Sequence, residues 1–193
     1  GPLAPDKVVL RDGWDADDPY VLVNLRFTGW HRYKGTATIP LVYWGRTISR
    51  EALSGSPYRW LPEGRSLFRD KRIPRENLNG VTVERTGFSA VLYSLTGWGG
   101  EWAQDPPYYA EVVAFAPGRE VDMVHIEIAS WRGWTQDRWV YLFHDQGPVV
   151  VVDNMAGPPH RDSALMWQLP GNATLEGTTI ALPDDEHRAE LDV

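Results

Sequence analysis

A period of two runs through residues 122–130 and goes far towards deciding the fold class. Val124, Ile126 and Ile128 fall on one side of this segment, and His125 and Glu127 fall on the other. Side chains alternate across a strand, so this is the pattern of a half-buried strand. Comparable β-rich runs occupy residues 20–27, 36–44, 81–85, 90–95, 108–115, 138–144, 149–153, 164–169 and 178–182. Turn formers separate them, most clearly Asp145-Gln146-Gly147-Pro148, which predicts a hairpin between 138–144 and 149–153. Pro and Gly recur too often for a long amphipathic helix. The expectation is an all-β fold, an antiparallel β-sandwich of about ten or more strands with little helix.

A length of 193 residues suits one such domain. The opening Gly1-Pro2-Leu3 fits a scar left by a cleaved tag, so residues 1–7 are read as scar and leader. The acidic, polar stretch 184–193 is expected to be a loosely held tail. The chain has no cysteine, which excludes disulfides, thiolate metal sites and cysteine nucleophiles. No apolar run reaches the ~18 residues of a spanning helix, and no signal peptide is visible, so no membrane partner is expected.

Charge is unevenly spread. Between Arg46 and Gly80 stand Arg46, Arg50, Arg59, Arg65, Arg69, Lys71, Arg72 and Arg75, against Glu51, Glu63, Asp70 and Glu76. That stretch is +4 in a chain of net charge −7, which leaves −11 for the remainder. The overall sign argues against nucleic acid, whereas a basic island in an acidic protein points to a local anionic partner. An ordinary docking contact with another domain would use the same charges. The island has little periodicity and is too long for a simple loop, so it is expected to hold short strands or to lie against something.

Three groups of residues could carry chemistry. His31, Tyr33, Arg32 and Lys34 follow one strand and precede another in Trp30-His31-Arg32-Tyr33-Lys34. Such residues suit proton abstraction beside a carboxylate. A cation neutralises the carboxylate, a base takes the proton and an acid protonates the leaving oxygen. A polar turn holding a satisfied histidine is the plainer alternative. Trp98 and Trp102, in Gly97-Trp98-Gly99-Gly100-Glu101-Trp102, are candidates for stacking on sugar rings, because glycines do not hold an indole by packing. Trp131 and Trp134 flank Arg132-Gly133 and could form a second stacking platform; the favoured alternative is a turn whose aromatics cap the core. None of the five histidines pairs at metal-ligand spacing, and phosphate-loop and serine-elbow motifs are missing, so no metal or cofactor is expected.

Four pieces, taken in order, resemble the β-sandwich domain of the heparinase II/III-like polysaccharide lyase family. They are Val9-Leu10-Arg11-Asp12-Gly13-Trp14 with the strand at Tyr20; Thr28-Gly29-Trp30-His31 followed by Leu41-Val42-Tyr43-Trp44-Gly45; residues 128–143 with Arg138 at the place of the arginine of the family's long hairpin; and Val149-Val150-Val151-Val152-Asp153-Asn154-Met155-Ala156-Gly157 with His160 and Trp167-Gln168-Leu169. The resemblance implies β-elimination on a uronic-acid polysaccharide or oligosaccharide, bacterial origin, and a periplasmic or extracellular setting. It also implies a partner α/α toroid across a shared cleft. With no toroid in these residues, the chain is expected to be inactive alone and to supply one wall, with His31 and Tyr33 as catalytic candidates.

The chain departs from the family's pattern in the metal site. Many members carry His-x-His-x-Asp in the turn, where this chain has His31, Tyr33 and Gly35. A further ligand, the histidine of a His-x-Gly-Tyr stretch, is matched by Trp131, while Glu51 stands near the remaining acidic ligand. Replacement of two ligands implies that a zinc site is not kept. A non-catalytic carbohydrate-binding module and a purely structural domain are the competing readings. Whether His31 and the basic island belong to the same side of the domain separates a shared cleft from both.

Overall fold

The computed structural model describes residues 5–26, 35–51, 75–84, 88, 91, 106–169, 173–181 and 188–190. These residues form strands β1 (Lys7–Arg11), β2 (Tyr20–Asn24), β3 (Thr38–Tyr43), β4 (Thr47–Arg50), β5 (Gly80–Val83), β6 (Glu111–Ala116) and β7 (Val121–Trp131). They continue with β8 (Trp134–Phe143), β9 (Val149–Ala156), β10 (Ser163–Met166), β11 (Thr174–Glu176), β12 (Thr179–Ala181) and β13 (Arg188–Glu190). A 3₁₀ turn covers Arg75–Asn77, and Phe88 and Val91 are helical. The strand expected over 90–95 is therefore corrected at Val91. No helix among the described residues is long and apolar enough to cross a membrane.

Two antiparallel meanders, β1-β2-β3-β4 and β6-β7-β8-β9, make the body. β1 lies against β7 and β8. Their facing sides share one core that includes Leu10, Val21, Val23, Ile39, Val124, Ile126, Ile128, Val140 and Leu142. Each such aliphatic side chain contributes about 1.5–3 kcal/mol on full burial. The alternation read in 122–130 is borne out: Val124, Ile126 and Ile128 are buried, and His125 and Glu127 lie on the outer side. There the His125 ring stacks on Trp139 at 4.3 Å, with its Nε2 3.0 Å from Asp137 Oδ1. The smaller sheets are β5 with β10, and β11-β12-β13.

β8 joins β7 through a two-residue turn, Arg132-Gly133, with φ of 55° and 89°. Positive φ at both central residues defines the turn class whose twist matches the flanking strands, and Gly133 meets its steric demand. The hairpin 138–144/149–153 is found as expected, though longer, with Thr135 to Leu142 paired to Ala156 to Val149. Both ends of the described chain pair in sheets. Lys7 pairs with Asn24 as the first residue of β1, so the ordered sheet begins inside the supposed leader. Arg188–Glu190 pairs with Thr179–Ala181, so part of the acidic tail is held in a ladder.

Candidate functional site

The strand registers decide which loops meet. β2 pairs with β1 at Asn24↔Lys7 and with β3 at Asn24↔Thr38, and β3 pairs with β4 at Leu41↔Arg50. The ends of β2 and β4 and the start of β3 therefore lie at one end of the first sheet. Arg26 and Gly35 bracket residues 27–34 there, and Glu51 precedes residues 52–74 at the same end, whereas Arg46, the first residue of the basic island, stands in the β3–β4 turn at the opposite end. His31, Arg32, Tyr33 and Lys34 lie outside the described residues, as do Trp98 and Trp102, but the chain on either side of them is placed.

Hydrogen bonds tie these flanks together. The Thr36 hydroxyl donates to the Pro107 carbonyl at 2.8 Å, and Arg26 forms a bridge with Tyr109, so the chain leaving 92–105 lands beside the residues that flank 27–34. Arg75, which follows the basic residues, donates from Nη2 to the Thr36 carbonyl at 3.2 Å and from Nε to the Val81 carbonyl at 2.8 Å. Its guanidinium lies 4.9 Å from the Trp131 ring centroid. The flanks of all three segments that carry the sequence candidates thus reach one buried residue, Thr36.

The residues that follow 27–34 are strained and heavily braced. Ala37 has φ of 57°, a left-handed conformation that costs a non-glycine residue about 1–3 kcal/mol. Its carbonyl accepts Arg138 Nη1 at 2.7 Å. The Gly35 carbonyl accepts Asn24 Nδ2 at 2.6 Å and the Thr38 hydroxyl at 3.0 Å. Arg138 is fully buried and binds Asp153 through Nε and Nη2, at 2.8 and 2.7 Å. Gln136 Nε2 adds a bond of 2.9 Å to the same carboxylate. A paired, fully hydrogen-bonded charge is the form in which an ion tolerates burial. The brace runs from the second sheet, through Arg138, to Ala37 in the segment that follows residues 27–34.

Arg26 and Tyr108 stand on the solvent side of this frame. The Arg26 guanidinium lies 5.2 Å from the Tyr108 ring centroid and 3.1 Å from Asp6 Oδ1. The bond to Tyr108, then that to Asp6, raises its pKa further, so the cation is permanent. A cation beside a 57 % exposed phenol is chemically suited to meeting a carboxylate.

Three sequence candidates receive a structural role instead. Trp131 and Trp134 are 1 % and 5 % exposed and belong to the core, so they offer no stacking face to solvent. The packing alternative is the one observed. Glu51 is buried and its Oε1 accepts the Asn79 backbone N–H at 3.1 Å, a bond that caps the turn after Arg75. Among the described residues no three His, Asp or Glu side chains are grouped to hold a metal ion. Sequence reasoning overlooked the bracing set of Thr36, Ala37, Arg75, Asn79 and Asp153, and gave Arg138 no task. One available signal was that Arg138 shares its strand parity with Val140 and Leu142, which places a charge in the core.

No family model matches the chain and no curated protein matches it. Solved structures do. Heparinase III, the BT4657 gene product, superposes with a TM-score of 0.66 over 93 % of this chain at 19 % identity. Heparan sulfate lyase HepC from Pedobacter heparinus gives 0.62 over 92 % at 16 % identity. The chain spans 26 % and 25 % of those two structures. It therefore has the fold of one β domain of such lyases.

Proposed function

We propose that this chain is the β-sandwich domain of a heparinase II/III-type polysaccharide lyase. It acts on uronic-acid-containing polysaccharide by β-elimination and supplies one wall of a cleft completed by an α/α toroid. The observation that carries this reading is the convergence of the flanks of 27–34, 52–74 and 92–105 on Thr36. The likeness in fold to heparinase III and HepC supports it.

In this reading Arg32 and Lys34 pair with the uronate carboxylate and lower the cost of charge on the adjacent carbon. His31 and Tyr33 share the two proton transfers: one takes the proton beside the carboxylate, and the other delivers a proton to the departing glycosidic oxygen. The bond to that oxygen breaks as the carbon–carbon double bond forms. The basic island holds the polyanion by charge, and Trp98 and Trp102 stack on its rings.

The test is formation of the unsaturated uronate, followed by ultraviolet absorbance on heparin, heparan sulfate and alginate. The chain alone is expected to be silent, and the same chain joined to a toroid domain is expected to turn over one of the three. His31→Ala and Tyr33→Phe should each abolish that turnover. Full activity in either variant, or silence of the joined protein on every acidic polymer, refutes the reading. Salt-sensitive binding of the isolated chain without turnover in the joined protein would instead favour a binding module.

A further inference from the structure

The end of the first sheet opposite Thr36 carries an aromatic cluster with no part in the proposed cleft. Trp14, in the β1–β2 loop, is 86 % exposed. Its ring meets a neighbouring cation. The Arg11 guanidinium covers one face at 4.2 Å from the centroid, while Arg11 Nε donates to the Gly13 carbonyl at 2.9 Å. Arg11 also lies 5.8 Å from the Tyr20 ring, and Tyr20 stacks on Tyr43 at 5.1 Å and 23°. Arg11, Tyr20 and Tyr43 are direct neighbours across β1, β2 and β3. The result is a flat row that ends in an open indole.

We propose that Trp14 is the platform of a second carbohydrate site, which takes a neutral sugar unit. A flat, accessible aromatic face suits the apolar face of a pyranose ring. The surrounding charge selects among sugars. Asp12, Asp15, Asp17 and Asp18 lie within the same loop, and Asp15 and Asp17 are exposed. Carboxylates accept hydrogen bonds from sugar hydroxyls, whereas four of them in one loop repel a polyanion. Residues 52–74, which hold most of the basic island, follow β4 at the other end of the sheet, while Arg46 stands in the β3–β4 turn at this one. The loop is held in shape by the Asp15 N–H, which donates to Asp18 Oδ2 at 2.7 Å, and by the Asp12 N–H, which donates to the Pro19 carbonyl at 3.0 Å.

The experiment is calorimetric titration of the whole chain with cellohexaose, laminarihexaose, xylohexaose and mannohexaose, with heparin as the charged comparator. At least one neutral hexasaccharide should bind, with an affinity unchanged between about 0.05 and 0.5 M salt. Trp14→Ala should weaken it at least about tenfold. Trp14→Phe, which keeps a smaller ring, should fall between, and heparin binding should be the same in all three proteins. Absence of binding to all four neutral probes, or equal binding by Trp14→Ala, overturns the proposal. Neither outcome bears on turnover by the joined protein, so the two readings fail separately.

Discussion

Arg138 and Asp153 form a side-on ion pair between β8 and β9, with the guanidinium fully buried and the carboxylate nearly so. Removing one partner strands a charge in the core, at a cost of about 3–5 kcal/mol. Asp153→Ala and Arg138→Met should each lower the unfolding free energy from urea denaturation by that amount. Arg138→Met combined with Asp153→Leu should lose less than either single change, because no buried charge is left. A double variant less stable than both would refute the stranded charge as the source of the loss.

Asn79 is a fully buried junction. Its Nδ2 donates to the Ile39 carbonyl and the Ser49 hydroxyl, and its Oδ1 accepts the Gln168 N–H. Asn79→Ala leaves those three groups without their partner, and each stranded polar group costs about 1–3 kcal/mol. A loss of at least about 2 kcal/mol in chemical denaturation is expected. Asn79→Asp should be no milder, since an ionised carboxylate cannot donate to either acceptor.

Gly157 lies under the Trp134 indole. A Cβ built on it would fall 2.0 Å from Trp134 Cε3, so Gly157→Ala must displace the ring. Overpacking of this kind costs about 1–3 kcal/mol. The fluorescence of Trp134 should shift as well, which a Trp134→Phe background checks by removing both the shift and most of the destabilisation.

His144 lies between the Arg119 carbonyl, 3.1 Å from Nδ1, and Asp122, 3.4 Å from Nε2. Burial lowers its pKa, but the bond to Arg119, then Asp122 and Asp12, outweigh burial and raise it above the ordinary 6.5. The folded state thus binds the proton more tightly than the unfolded chain. The stabilisation is complete below about 6.5 and is lost as pH rises through the higher folded value. The urea midpoint should fall over that interval in the native chain and stay flatter in His144→Gln.

Much of the fold was legible because burial follows strand parity. Val124, Ile126 and Ile128 announced the inner face of β7, and the turn at 145–148 announced the hairpin. β4 is short and carries no alternation, so the sequence offered no period to find. β1 was masked by its position at the chain start. Trp131 shows a subtler limit: counting in twos from Ile128 sends it outwards, but the register shifts between Ile128 and Trp131. That bulge turns the indole into the core. Of the candidate site, His31 and the basic stretch were visible as chemistry. The residues that bring their flanks together were not, because most act through backbone carbonyls, which any side-chain pattern leaves unmarked.

The bond from Arg138 to the Ala37 carbonyl has an evolutionary corollary. A cation that grips main chain is indifferent to which side chains the neighbouring turn bears. Insertions and replacements between Arg26 and Gly35 can accumulate without touching the tie that fixes their base. A mutational library confined to residues 27–34 would therefore leave that tie in place.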